Sequence, residues 1–160
     1  MIIRSATLDD LDGLTEVENK CFPPNEAATR EEFLSRLQTY PDHFWILEED
    51  GKIVSFINGM VVNATTISDE MYEDTSYHNE EGQWQAIFGV NTLPEYRRRG
   101  YAAAVMEKVI ETAKKQGRKG CILTCKEKMI HYYAKFGYKN YGISNSLHGG
   151  VVWYDMRLEF

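Results

Sequence analysis

A basic excess, long apolar runs and a cysteine framework are all missing from this chain, and each absence removes a class of protein. Its 160 residues carry 18 lysines and arginines against 24 aspartates and glutamates, a formal net charge of -6. The chain therefore lacks the positive field that non-specific nucleic-acid binding uses. No apolar stretch approaches the length needed to cross a bilayer, and the first ten residues, from Met1 to Asp10, lack the long apolar run of a signal peptide. A cytoplasmic protein with neither nucleic acid nor membrane as partner is expected. Cysteine is scarce and odd in number, at Cys21, Cys121 and Cys125. The last two fall four residues apart on one expected strand, roughly 13 Å at ~3.3 Å per residue, too far for a disulfide. No histidine stands at ligand spacing beside either, so no metal is expected and the thiols should be reduced and partly buried. Internal repeats and low-complexity segments are also absent.

What is present is an apolar fraction of 43% with 26% charged residues, the composition of a single soluble globular domain over residues 1–160. Residues 2–4 read as a short strand. Thr7 with Asp10 has the form of a helix-capping signal, and Leu8, Leu11, Leu14 and Val17 recur at helical spacing up to about Cys21. Phe22-Pro23-Pro24-Asn25 breaks that helix, and Thr29 with Glu32 forms a capping box for a second, with Phe33, Leu34 and Leu37 as its buried stripe. Residues 43–48 and 52–62 around Asp50-Gly51 predict a hairpin. A polar, acidic excursion follows over 63–82. Residues 84–92 read as a central strand and 101–116 as a helix stopped by Gly117. Then come a strand at 119–125, a short helix at 129–135, and strands at 138–144 and 151–158. This order makes an α/β (α+β) fold, a mixed and mostly antiparallel central sheet flanked by helices.

The informative segment is Thr92-Leu93-Pro94-Glu95-Tyr96-Arg97-Arg98-Arg99-Gly100-Tyr101-Ala102-Ala103, between the central strand and the helix. A strand that ends in an arginine- and glycine-rich turn and then opens a helix aims several backbone N–H groups and the positive helix end at one spot. That is an anion site suited to a pyrophosphate, with Gly100 and Ala102 small enough for close backbone approach. A solvated basic turn before a helix is the plainer alternative. With its strand and helix context, Arg97-Arg98-Arg99-Gly100-Tyr101-Ala102 resembles the [Q/R]-x-x-G-x-[G/A] signature of the GNAT superfamily. Downstream, the run from Cys125 to Tyr138, with Tyr132-Tyr133-Ala134-Lys135-Phe136-Gly137-Tyr138 at its end, looks like that superfamily's [F/Y]-Y-x-x-x-G-[F/Y] segment.

The resemblance implies an N-acetyltransferase that uses acetyl-CoA as cosubstrate and needs no metal. Val90, Asn91 and Thr92 would line the pantetheine arm, chiefly through the backbone of Val90 and Thr92. Arg97, Arg98, Arg99, Gly100, Tyr101, Ala102 and Ala103 would hold the pyrophosphate, and Tyr133 would be the general acid that protonates the departing thiolate. A buried aromatic on an amphipathic helix is the alternative for Tyr133.

The segments from Cys21 to Ala28 and from His148 to Met156 resemble the arylalkylamine N-acetyltransferase group, which implies a small amine as acceptor, arylalkylamine or polyamine. That group's two strand histidines fall on Ala86 and Phe88 here, so another group must take the ammonium proton. The candidates are Glu26 and His148 as pocket residues, with His131 beside the acid. Phe22, Phe56 and Trp84 either line an aromatic pocket or fill the core. The acidic stretch either draws cationic amines or is a solvated loop. A protein N-terminal or lysine acetyltransferase, and a CoA-binding module without catalysis, are the competing readings. A homodimer stands open beside a monomer.

Overall fold

The computed structural model describes residues 1–160. In chain order the elements are β1 (Ile2–Arg4), α1 (Leu11–Cys21), α2 (Arg30–Thr39), β2 (Phe44–Glu49), β3 (Lys52–Asn58), β4 (Val61–Val62), α3 (Glu70–Glu73), β5 (Trp84–Ile87), β6 (Gly89–Thr92), α4 (Tyr101–Lys115), β7 (Gly120–Cys125), α5 (Ile130–Ala134), β8 (Lys139–Ile143) and β9 (Tyr154–Glu159). The strands form a four-stranded sheet ordered β1-β2-β3-β6 and a five-stranded sheet ordered β4-β5-β7-β9-β8. Of all the pairings, β5 with β7 is the parallel one. No helix is long and apolar enough to cross a membrane.

One compact unit comprises residues 1–59 and 89–109. Its sheet is antiparallel throughout. The hairpin turn at Asp50 and Gly51 has φ of 52° and 75°, the doubly left-handed geometry that matches strand twist and suits Asp-Gly. The Thr29 hydroxyl accepts the Glu32 N–H at 3.1 Å and the Glu32 carboxylate accepts the Thr29 N–H at 2.8 Å, so the capping box starts α2 as its sequence predicts. Phe33 from α2 then meets Phe44 at 6.2 Å and Phe56 at 5.9 Å between ring centroids. All three rings are fully buried and, with Leu14, Ile46, Leu47 and Ile57, form this unit's core.

The other unit comprises residues 60–88 and 110–160. Here β7 lies between parallel β5 and antiparallel β9. A Cβ at Gly120 would run into the Leu158 carbonyl and the Trp84 ring, so only glycine permits that approach. At the end of α4, Gly117 has φ 77°, its N–H donates to the Lys114 carbonyl and the Arg118 N–H donates to the Ala113 carbonyl. That pair of bonds is a Schellman stop. None of the three cysteines is in a disulfide. Burial pushes the Cys121 thiol up to about 12 and that of Cys125 up to about 11, which keeps both protonated and unreactive.

Several boundaries differ from the sequence expectation. Leu8 is 55% exposed because residues 8–10 form a 3-10 turn before α1, which rotates Leu8 off the buried stripe. The expected strand 52–62 is two strands: β3 pairs with β2, and after Gly59 and Met60 β4 pairs with β5. The expected strand 84–92 divides likewise at Phe88, β5 pairing with β7 and β6 with β3. Both runs are apolar on either side of the break, so hydrophobicity does not register the change of partner. Residues 151–153 precede β9 and lie outside it.

Replacing Phe33 by Ala should cost about 3–5 kcal/mol in urea unfolding, since a fully buried ring is lost from a packed cluster. Leu8→Ala should stay within about 0.5 kcal/mol of the parent chain. A larger loss at Leu8 than at Phe33 would contradict this packing.

Candidate functional site

Strand β6 has one sheet neighbour, β3, and is therefore an edge. Its register pairs Ser55 with Thr92, Phe56 with Asn91, Ile57 with Val90 and Asn58 with Gly89. The Leu93 N–H donates to the Val54 carbonyl at 2.9 Å, which fixes the phase of the ladder. In an antiparallel pair, hydrogen-bonded and non-bonded positions alternate. Asn91 and Gly89 thus bond to β3, while Val90 and Thr92 turn their backbone groups to the open edge. An open edge is a template for any extended amide-bearing chain.

Beyond β6 the chain makes a tight turn. Residues 94–96 form a 3-10 turn, then Arg98 at φ 64° and Gly100 at φ 78° are both left-handed. Left-handed residues alternating with ordinary ones gather successive N–H groups on one concave side. A positive φ costs a non-glycine residue about 1–2 kcal/mol, so Arg98 is strained where Gly100 is not. The Ala104 N–H donates to the Gly100 carbonyl at 3.0 Å, so α4 begins there and the N–H groups of Tyr101, Ala102 and Ala103 have no intrahelical acceptor. The arginine side chains help to stiffen this turn. Arg97 Nε donates to the Thr92 carbonyl at 3.1 Å and Arg99 to the Glu95 carbonyl at 3.3 Å. The Arg99 guanidinium also lies 5.0 Å from the Tyr96 ring centre. All three arginines are exposed. Glycine at 100 is required first by backbone angle, because a Cβ there would meet nothing within 4 Å.

Asn91 is fully buried and belongs to a polar cluster that the sequence reading missed. Glu18 on α1, 6% exposed, accepts the Ala28 N–H at 2.9 Å through Oε2, and so holds the end of the 22–28 loop. Arg36 on α2 donates to Asn58 Oδ1 at 3.0 Å. Burial raises the Glu18 pKa, opposed by the Ala28 N–H, by Arg36 and by the nearby Asn91 amide. The signal was visible: the stripe Leu11, Leu14, Val17 continues at helical spacing onto Glu18, a charge at a position facing the sheet. Glu26 is half-buried within that loop, where its N–H and that of Ala27 both donate to the Pro23 carbonyl at 2.9 Å. Phe22 is half-buried.

In the other unit, Tyr133 on α5 is 7% exposed and packs edge-on against Tyr132 at 5.1 Å and Tyr138 at 6.0 Å. Burial, reinforced by Tyr132 and Cys125, drives its pKa far above the ordinary phenol value. It therefore holds its proton across the physiological range, the state a proton donor needs. His131 is exposed.

His148 lies in a cluster of four half-exposed rings. It stacks on Tyr72 at 5.0 Å, Tyr72 lies 4.9 Å from Phe88, and Trp153 lies 6.0 Å from His148. The Trp153 indole donates to the His148 carbonyl at 2.7 Å, and the Tyr72 and Thr124 hydroxyls are 3.2 Å apart. Asp69 ties the loop down, its carboxylate accepting the Ser146 hydroxyl and, at 2.8 Å, the Leu147 N–H. Much of the acidic stretch is thus structural: Asp74 accepts the Ser76 N–H at 2.9 Å, and Glu80 pairs with Arg118 and His78 at 3.1 and 3.0 Å. Phe56 and Trp84, expected either as pocket lining or as core, are both buried in their units' interiors. The half-exposed aromatics are instead Tyr72, Phe88 and Trp153. Tyr72 was hidden from pattern reading because it lies in a polar excursion.

An antiparallel sheet whose open edge strand runs into a left-handed turn and a helix N-terminus, with a second, mixed sheet in the same chain, is the GNAT arrangement. The profile described as the acetyltransferase (GNAT) family matches residues 11–138, and the chain belongs to that family. It is similar to the probable hydrolase YhcX of Bacillus subtilis, 25% identical over 144 residues. That alignment covers 84% of this chain and 28% of the relative, so the chain spans little more than a quarter of the curated relative's length. Among solved structures it resembles the GphF GNAT-like decarboxylase in complex with isobutyryl-CoA, at a TM-score of 0.84 and 20% identity, with 99% of each chain covered. It also resembles the ribosomal-protein-S18-alanine N-acetyltransferase of Escherichia coli, at a TM-score of 0.76 and 19% identity, covering 99% of this chain and 92% of that one. At these identities the likeness shows the fold.

Replacing Asp69 by Ala removes two charge-assisted hydrogen bonds, worth about 1.5–3 kcal/mol each. Amide exchange at Leu147 should accelerate at least about tenfold. Unchanged exchange there would show that the loop is held by other contacts.

Proposed function

We propose that the chain acts as a single GNAT domain, an acetyl-CoA-dependent N-acetyltransferase of the cytoplasm whose acceptor is a small primary amine with a flat aromatic or alkyl body. The observation that carries the cosubstrate reading is the phase of β6, with Val90 and Thr92 facing the open edge just before the left-handed turn. Pantetheine is an extended chain of two amides, so its N–H and C=O groups match a strand edge as another strand would. The pyrophosphate suits the converging N–H groups of residues 98–103, where the helix dipole adds to the backbone donors. Isobutyryl-CoA in the GphF complex is in keeping with a CoA thioester here.

Tyr133 supplies the proton that the departing thiolate takes up. Its burial serves this role, since a phenol that stays protonated donates when a stronger base forms beside it. The acceptor's body is recognised by the rings of Tyr72, Phe88, His148 and Trp153. Four half-exposed rings offer stacking area to a flat or alkyl substituent. That pattern favours the arylalkylamine type. Metal chemistry has no part in this scheme: the acetyl group moves by direct attack of the amine nitrogen on the thioester carbonyl.

Release of free thiol from acetyl-CoA, followed across arylalkylamines, polyamines and N-terminal peptides, tests the reading. Arylalkylamines should turn over with the highest kcat/KM. Preference for peptides would replace the reading by a protein acetyltransferase, and CoA binding without turnover of any amine by a binding module. Tyr133→Phe should lower kcat by about 10²-fold while CoA affinity and Tm hardly change. Tyr132→Phe is the control for damage to α5. Equal activity in the two variants would remove Tyr133 from the mechanism.

A further inference from the structure

Ala86 and Phe88 leave the proposed reaction without a base on the central strand, and unit geometry around β6 supplies one elsewhere. Three polar atoms converge on the α-carbon of Gly89, the first residue of β6. A Cβ built there would lie 3.3 Å from Asn91 Nδ2, 3.7 Å from Glu18 Oε1 and 3.8 Å from Asn58 Nδ2. Glu18, Asn58 and Asn91 are 6%, 1% and 0% exposed. Glu18 Oε1 and both amide atoms of Asn91 are buried without a hydrogen-bond partner in the chain. The Asn91 amide is near enough to favour the charged carboxylate, yet it completes no bond to it. Such groups are costly when unmatched, and buried water characteristically bridges about three of them. A side chain on Gly89 would fill that spot, and the glycine is not held there by a left-handed φ.

We propose that Glu18 is the proton acceptor for the substrate amine, working through one water held by Glu18, Asn58 and Asn91 against Gly89. This rests on the acetyltransferase reading, in which the thioester lies along β6. It also uses the 22–28 loop, which the arylalkylamine resemblance places over the amine pocket and which Glu18 holds through Ala28. The ammonium gives one proton through the water to the Glu18 carboxylate. The freed lone pair attacks the thioester carbonyl, the C–N bond forms and the C–S bond breaks. The nitrogen's second proton is taken up by the departing thiolate, and Glu18 returns its proton to solvent.

The charged and titratable groups facing Glu18 are Arg36 and Glu32 from α2 and Cys21 one turn along α1. From β3 and β6 it meets the neutral amides of Asn58 and Asn91. Burial outweighs Arg36, so the carboxyl group titrates above its ordinary value and is the stronger base for it. A raised carboxyl pKa means that the folded chain holds the proton more tightly than the unfolded chain. Its contribution to stability is therefore present at low pH and declines as pH rises through the folded pKa.

Glu18→Gln keeps an oxygen for the Ala28 N–H and the same volume, but cannot take a proton. Gly89→Ala puts a methyl group against the water position and removes no polar group, at the cost of a shift of a few tenths of an ångström in the Asn91 amide. Both variants should bind CoA with parental affinity and lose about 10²-fold in kcat/KM. In Glu18→Gln the carboxylate limb of the pH profile should vanish, leaving the limb of the amine's own deprotonation. That variant should also melt no lower than the parent at neutral pH, with the difference fading in acid. Parental kcat/KM with an unchanged acid limb in Glu18→Gln overturns the proposal, as does a parental rate in Gly89→Ala. Failure of the parent chain to bind CoA would instead overturn the acetyltransferase reading, and Glu18's role with it.

Discussion

Strand β6 is bonded along one side only, and the site is built on that constraint. Before Phe88 the chain is committed on both sides, to β4 and to β7; after it, to β3 alone. An extended strand cannot leave its outward N–H and C=O groups unmatched without solvent or a ligand to receive them. The register then decides that these groups belong to Val90 and Thr92, of which the Thr92 carbonyl is taken by Arg97 Nε and the Cys21 thiol, leaving the Val90 groups and the Thr92 N–H open. Four residues of strand followed by a turn with two left-handed residues give a line of amides that ends in a cluster of N–H donors. A molecule made of amides followed by a pyrophosphate has the same order of groups.

The inner face of the same strand does different work. Gly89 and Asn91 face α1, where the absence of a side chain at Gly89 lets two buried amides and a buried carboxylate close in on its backbone. In the proposed reading, one short strand separates cosubstrate recognition, carried by backbone on its edge, from polar chemistry, carried by side chains on its face. Glu18 adds a mechanical link, because the oxygen that accepts the Ala28 N–H also fixes where the 22–28 loop meets α2.

Local signals made much of this legible in the sequence. The Thr29 and Glu32 capping box, the Asp50-Gly51 turn, the Gly117 stop and the tight turn at 97–103 each depend on a few neighbouring residues whose chemistry dictates one conformation. Partner exchange was not legible, because residues 52–62 and 84–92 are apolar on both sides of the point where they change sheets. Leu8 misled for a related reason: helical spacing holds only once a helix has begun, and a 3-10 turn comes first. At the site, backbone geometry could be read but side-chain company could not. Tyr72 and Phe88 join His148 from segments far apart in sequence, and Phe56 and Trp84 are buried in the core by contacts that no local pattern reports.

The account's central claim is that the edge of β6 and the first turn of α4 hold the cosubstrate through backbone groups. Residue-resolved amide exchange with and without saturating CoA tests it directly. Protection should appear at Val90 and Thr92 and at Tyr101, Ala102 and Ala103, while Phe56 and Asn91, already bonded within the sheet, should not change. Equal protection at Asn91 and its neighbours, or none at the start of α4, would contradict it.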